Sequence, residues 1–332
     1  MRRFKANYPA ILLGLVFLIN LRAIAQYSRS GHPADIHTTP VAGYALLGGG
    51  SDLDPAFKWL CDHALGGDFL VLRARGDDDY NSYINGLCHT NSVATLIISD
   101  ATAAKDEKTA AIIRNAEAIF IAGGDQSRYI KNWTETPVQR ELRDAIVRGI
   151  PMGGASAGLA VLGAYVYSAE NDHPDGPNLS SGKALADPYA DQVIVRRDFL
   201  DIPILRNVIT DSHFKARDRM GRTLAFLARI VQAGWSAKPR AIGVDEKTAV
   251  LVNTDGIASV VGTSAAYFLS VNEAPKVCLP GKALSFHNIS VYKVLAGQQF
   301  NLSTWQASGH VAYSLSVEDG VIRSTQADGE IY

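Results

Sequence analysis

Four short runs, apolar throughout save for Thr95, punctuate the first half of this chain, at 44–47, 69–72, 95–98 and 118–121. Helix-forming stretches follow or separate them: 54 to about 65, opening on Asp54-Pro55, then 80–87, 106–115 and 137–148, the last leading into Ile150-Pro151-Met152. A strand that is apolar at every position has no solvent face, so its sheet must be covered on both sides. Helices alternating with such strands supply that cover. The pattern predicts the α/β class, as three α/β/α layers around a mostly parallel sheet. Parallel strands also bring their outgoing loops to one carboxyl edge, where sites in open sheets form.

Past residue 165 the alternation loosens. Residues 168–192 are rich in Asp, Pro, Ser and Gly and predict a long surface insertion. Regular elements resume at 208–210, with a helix over 215–233 and strands at 241–244 and 248–252. From about 256 the chain is strand-like with frequent turn residues, a β-rich C-terminal part. No internal repeat or linker divides it, so 41–332 is expected to be a single catalytic domain.

The first 25 residues have a different character. Arg2, Arg3 and Lys5 precede an apolar stretch at 10–19, and Ala23-Ile24-Ala25 follows. A basic start, a short apolar core and a small-x-small site form a secretory signal peptide. The stretch is shorter than the roughly 20 residues of a membrane span, and no cysteine follows it for a lipid anchor. Export to the periplasm or medium is therefore expected, with no stable membrane anchor after cleavage near Ala25. Residues 26–40, polar with two prolines, read as a flexible leader.

Removing 1–25 takes away four basic and no acidic residues, turning a net charge of −1 into −5. That mild acidity argues against a nucleic-acid partner. Cys61, Cys88 and Cys278 are too scattered for a zinc site; one disulfide at most can form, and the spacing selects no pair. A monomer and a homodimer both remain open.

The chemistry concentrates at strand ends. Gly154-Ala155-Ser156-Ala157-Gly158 fits G-x-S-x-G, between a short strand and a helix-compatible stretch. Small neighbours let the chain turn sharply there and project a nucleophilic serine, with the Ala157 N–H aimed at the developing oxyanion. A plain glycine-rich turn is the alternative. Serine needs a base, and His213, in Asp211-Ser212-His213-Phe214 just after an apolar strand, is the best-placed histidine. Asp245-Glu246 follows the strand at 241–244, and either acid could orient the base. Gly123-Gly124-Asp125-Gln126 follows the fourth strand; the Gly124 N–H could complete an oxyanion hole, and Gln126 could hold a substrate amide or carboxylate. Gly48-Gly49-Gly50 lacks the spacing of a dinucleotide fingerprint, but with the glycine loops at 123–124 and 153–158 it is expected to rim the active site. Arg217, Arg219 and Arg222 cluster after His213, where a substrate carboxylate or local acids such as Asp211 and Asp218 would compensate them. Met220, Leu224, Leu227 and Val231 mark one buried face of the helix that follows.

Taken in order, GGDQ (123–126), GASAG (154–158), DSHF with R-x-R-x-x-R (211–222) and GVDE-x-TA (243–249) resemble the cyanophycinase family of serine peptidases, which includes aspartyl dipeptidase. The resemblance runs over roughly 43–300. It implies a fold like class I glutamine amidotransferases, with serine in place of cysteine. It also implies Ser156 as nucleophile, His213 as general base and Glu246 as the orienting acid. Gln126, Asp211, Ser212, Arg217, Arg219 and Arg222 would shape the substrate pocket, and no metal or organic cofactor is called for. Family members cleave peptides next to aspartate, and cyanophycinases release β-Asp-Arg dipeptides. Ser212 departs from the pattern, which usually has glutamine there.

Two other readings share these residues. An α/β-hydrolase esterase or lipase also uses G-x-S-x-G but takes a late histidine, which would be His287 or His310. A protein of the same fold that only binds its ligand is the other.

Overall fold

The computed structural model describes residues 25–171, 179–307 and 311–332; the expected signal peptide lies outside them save for Ala25. The N-terminal half runs β1 (Gln26–Gly31), β2 (Tyr44–Leu47), α1 (Asp54–Ala64), β3 (Asp68–Arg73), α2 (Asp79–Leu87) and β4 (Ser92–Ile97). It continues through α3 (Ala101–Ala104), α4 (Glu107–Arg114), β5 (Ala118–Ile121), α5 (Gln126–Trp133), α6 (Pro137–Val147), β6 (Met152–Ala155) and α7 (Ala157–Ala160). Local chemistry sets these limits. Pro55 starts α1, and Leu65 ends it in the left-handed region at φ +51°. The carboxylates of Asp106 and Asp125 accept backbone N–H bonds at 3.0 Å and cap α4 and α5.

Strands β4-β3-β5-β6-β2 are hydrogen-bonded in that order and all run parallel. As the apolar runs demand, helices cover both faces. Phe57 and Leu60 of α1 pack on Ala45, Leu47, Val71 and Phe120 on one side. Trp133, Leu142 and Ile146 of α5 and α6 pack with Leu46, Leu72, Leu96 and Ile121 on the other.

The leader expected over 26–40 is not irregular throughout. Its first six residues form β1, paired antiparallel with β4 from Gln26↔Ile97 to Gly31↔Ser92. Its side chains are polar because it is an edge strand that stays half-exposed.

The second half contributes β7 (Tyr165–Tyr167), α8 (Ser181–Ala186), β8 (Val195–Arg197), β9 (Val208–Asp211), α9 (Met220–Gln232), β10 (Arg240–Val244) and β11 (Thr248–Val252). The C-terminal part then adds β12 (Ile257–Gly262), β13 (Ala265–Val271), β14 (Phe286–Leu295), β15 (Gln299–Asn301), β16 (Gln306–Ala307), β17 (Val311–Glu318) and β18 (Val321–Ser324). These strands divide between two sheets. β11, β12, β15 and β16 extend the first sheet antiparallel beyond β2, while β18-β17-β14-β13-β10-β9-β7-β8 form a second. The chain is α/β with a β-rich C-terminal part, and parallel strands lie inside both sheets, β4-β3-β5-β6-β2 in the first and β10-β9-β7 in the second. Val250, Val252 and Val260 of the first sheet share one core with Ile242, Val244 and Phe268 of the second. The two sheets therefore stack there, and α8 and α9 cover the far side through Leu185, Leu224 and Leu227.

The 168–192 segment departs from its expectation as a surface insertion. Residues 172–178 lie outside the described residues, but Leu179, Ser181, Ala184, Leu185 and Gln192 are buried, and α8 packs on α9. Small side chains make this close approach: a Cβ on Gly221 would come within 2.7 Å of Leu185 and Ser181. Covered on this second side, α9 buries Ala225, Phe226 and Ile230 as well as Met220, Leu224 and Leu227, while Val231 is half-buried. It also starts at Met220 rather than 215; residues 215–219 form a turn.

Cys61 and Cys88 form a disulfide, joining α1 to the residue after α2, and Cys278 is a buried thiol. No helix among the described residues is long and apolar enough to cross a membrane.

Candidate active site

Ser156 occupies the turn between β6 and α7, with φ +53° and ψ −108°. That is a strained conformation for a residue with a Cβ, of a kind that clusters at functional sites. Two glycines make the turn sterically feasible. A Cβ on Gly158 would lie 1.9 Å from the Ile121 carbonyl oxygen, and one on Gly154 would lie 2.5 Å from Gly158.

The Ser156 hydroxyl hydrogen-bonds His213 Nε2 at 2.7 Å, and His213 Nδ1 donates to Glu246 Oε1 at 2.6 Å. The tautomer with its proton on Nδ1 satisfies both contacts. β9 carries His213 two residues past its end and β10 carries Glu246 likewise; these strands pair in parallel. Sequence left Asp245 and Glu246 as alternatives, and the geometry separates them. Asp245 instead accepts the N–H groups of Lys215 and Ala216, at 3.1 and 2.9 Å, and the hydroxyl of Ser264.

His213 is buried, and that burial lowers its pKa below the ordinary imidazole value. The positive charges of Arg217 and Arg219 push the same way, against the raising effect of Glu246. The ring is thus neutral at neutral pH, with Nε2 able to accept a proton.

Gly48-Gly49-Gly50, no cofactor fingerprint but expected to rim the site, is the floor of this arrangement. A Cβ on Gly49 would sit 2.6 Å from His213 Cε1 and 3.2 Å from Ser156 Cβ; one on Gly50 would sit 2.9 Å from Glu246 Cβ. The Gly48 carbonyl accepts the His213 N–H at 2.8 Å, and the Gly49 carbonyl accepts that of Lys247 at 2.8 Å. A glycine triplet after a buried strand was the available signal. Only the fold shows what it approaches.

A cavity of about 260 Å³ opens beside the serine. Its wall brings together Gly124, Gln126, Ala157, Asp211, Ser212, Arg217, Arg219 and Arg222, all singled out in the sequence. Gln126 donates to the Tyr167 carbonyl at 3.4 Å, bridging α5 and β7. Tyr167, which the sequence reading missed, also lines the cavity, with the Arg222 guanidinium 5.0 Å from its ring centroid.

The three arginines are not equivalent. Arg222, 3% exposed, makes a two-pronged pair with Asp211, Nε to Oδ2 at 2.8 Å and a second N–H to Oδ1 at 2.5 Å. Arg219 donates to the Ser212 carbonyl at 2.9 Å, to the Ser212 hydroxyl at 3.2 Å and to Asp211 at 3.4 Å. Burial lowers its pKa to about 10, so it stays charged. Burial works to raise the pKa of Asp211, but Arg222 and Arg219 outweigh it and hold the carboxyl below its usual range. Arg217 is half exposed, and its nearest carboxylate is Glu246 at 3.6 Å. Local acids therefore engage all three, fully for Arg222 and least for Arg217.

Of the two late histidines an esterase arrangement could use, the described one, His287, is engaged away from Ser156. His287 on β14 pairs with Glu318 on β17 at 2.5 Å, and His310 lies outside the described residues.

Comparison with known proteins follows the same lines. The model of peptidase family S51 matches residues 78–260, more than half of the chain. The cyanophycinase of Synechococcus elongatus is 27% identical over 221 residues, covering 64% of this chain and 62% of that protein. That of Geminocystis herdmanii is 27% identical over 217 residues, covering 64% and 72%. The match thus takes in less than two thirds of the first of these relatives. A crystal structure of a peptidase from an acI-B1 Actinobacterium superposes with a TM-score of 0.52 at 17% identity, over 79% of this chain and 98% of that one, a likeness of fold.

Proposed function

The chain belongs to peptidase family S51, and on that premise we propose that it is an exported serine peptidase of the cyanophycinase kind, hydrolysing peptides at aspartate through an acyl-enzyme on Ser156. The observation that carries this reading is the Ser156–His213–Glu246 chain, 2.7 and 2.6 Å in its two links, with the serine in a strained turn at the mouth of a cationic cavity.

In this mechanism Ser156 Oγ attacks the scissile carbonyl carbon while His213 Nε2 takes its proton. Glu246 holds the imidazole by Nδ1 and stabilises the imidazolium. The oxyanion is received by the Gly124 and Ala157 N–H groups, backbone donors of residues that line the same cavity as Ser156. The imidazolium then protonates the leaving amine. A water activated by the returned base releases the acyl group.

Arg217 is the residue to meet a substrate carboxylate, because it is half exposed and only loosely paired. Arg219 supports it from behind with a charge that the neighbouring Asp211 offsets only in part. Gln126 lies on the same wall. The Asp211–Arg222 pair neutralises itself and serves as the rigid back of the pocket. Ser212, shorter than the glutamine usual in the family, takes the Arg219 N–H on its hydroxyl and leaves room in front.

Export is supported by the N-terminal pattern and by the Cys61–Cys88 disulfide, since such bonds persist in oxidising compartments. The test of substrate class is incubation of the purified protein with cyanophycin and with a panel of Asp-X and β-Asp-X dipeptides. Release of β-Asp-Arg from the polymer is the expected result. Cleavage confined to dipeptides would place the protein with the dipeptidases, and turnover of neither would refute the assignment.

A further inference from the structure

A second cavity lies at the other end of β10 from Glu246, at the amino edge of the second sheet's parallel strands. At about 430 Å³ it is larger than the one beside Ser156. Arg240 and Lys238 enter it from the start of β10, Tyr292 from β14 and Trp305 from the turn between β15 and β16; among the described residues no aspartate or glutamate lines it.

Arg240 is the unusual group. It is half-buried, burial lowers its pKa, and among the described residues no carboxylate pairs with it. Its guanidinium stands over the Trp305 ring, 4.5 Å from the centroid, and one N–H reaches the Leu302 carbonyl only at 3.5 Å. A guanidinium carries five donors, and a partly desolvated cation without a counterion is costly. Trp305 adds a second irregularity. It is 5% exposed, its indole N–H has no acceptor among the described residues, and its backbone is left-handed at φ +57°. For a bulky residue that conformation is an outlier of the kind concentrated at ligand sites.

We propose that this cavity binds a small ligand bearing an oxyanion, a carboxylate or a phosphate, which Arg240 and Lys238 hold in place. The site is separate from the one containing Ser156 and does not depend on the function assigned there. The ligand supplies the counter-charge that Arg240 lacks, and the stacked Trp305 ring fixes the guanidinium plane so that two N–H groups can meet two oxygens.

The test is titration of the full chain with inorganic phosphate and, separately, with succinate, at ionic strength held constant with chloride. The readout is the indole N–H resonance of Trp305, assigned by its absence in Trp305→Phe. A saturable shift with either anion is expected, unchanged in Arg217→Gln. It should weaken at least about tenfold in Arg240→Gln, as loss of a charge-assisted pair requires. Lys238→Gln, at an exposed position that does not threaten folding, should weaken it as well. Response to phosphate alone or to succinate alone identifies the ligand's anionic group. A resonance that moves with neither anion, or that shifts equally in wild type, Arg240→Gln and Lys238→Gln, overturns the proposal.

Discussion

His213, the proposed base, shows how burial and charge set the protonation of a residue. Its imidazole is removed from water and flanked by two guanidinium groups, and both effects disfavour the protonated ring; Glu246 opposes them without prevailing. In the proposed mechanism the neutral ring is the active form, so kcat/KM should rise with pH through a limb below the ordinary histidine value of about 6.5. Arg217→Gln removes one of the charges that lower this pKa. The limb should then move to higher pH, whatever the variant does to KM, and a pH profile of kcat/KM for both proteins checks it. A limb that stays put or moves to lower pH would show that Arg217 does not act on His213.

Ser156, His213 and Glu246 were legible as candidates because each follows a strand, and the parallel topology gathers such positions at one edge, where the three meet. The choice of Glu246 over Asp245 was not legible from spacing, since adjacent residues differ only in where their side chains point. The resemblance supplied that choice, and the geometry agrees with it. Gly48–Gly50 was expected at the rim of the site, but what it does there was not legible: its value lies in side chains it does not have, against residues more than 100 positions away.

Between elements, the strongest tie at the site is the one from β9 to α9. Asp211 ends the strand, Arg222 lies in the first turn of the helix, and both are almost fully buried. Two such charges are tolerable inside a protein only together. Asp211→Asn should therefore destabilise the fold by about 3–5 kcal/mol, because Arg222 and Arg219 would be left without their counter-charge. Urea unfolding measures this, and an unchanged midpoint would contradict it. The pH dependence has a definite sign. The Asp211 carboxyl lies below its usual range, so its contribution is complete above about pH 4 and is lost only as pH falls through the lowered native value.

Element prediction succeeded for the buried strands and failed where burial and polarity part company. β1 reads as a leader because an edge strand keeps polar side chains, and α8 reads as a loop because it is one short helix whose buried face, Ser181, Ala184 and Leu185, carries a single large apolar residue. The start of α9 was placed five residues early, at a turn whose N–H groups Asp245 satisfies from another strand.

At the scale of the whole molecule, one continuous core joins the two sheets and holds the proposed catalytic residues on a rigid edge. That stacking is invisible in local patterns, since each strand alone is compatible with either sheet. The Cys61–Cys88 link closes a loop of 27 residues on the outer helical layer. Reducing it should lower unfolding stability by about 3–4 kcal/mol on the chain-entropy account. Denaturant unfolding with and without reductant checks this, and coincident curves would show that the link adds nothing.

The central claim is that hydrolysis runs through Ser156. Its most direct measurement is the turnover of Ser156→Ala beside wild type on whichever Asp-containing peptide the wild-type protein cleaves fastest. Loss of the nucleophile should reduce kcat by several orders of magnitude, leaving only what the oxyanion site and binding supply. Near-normal turnover by the variant would contradict the account, whatever the distances between Ser156, His213 and Glu246.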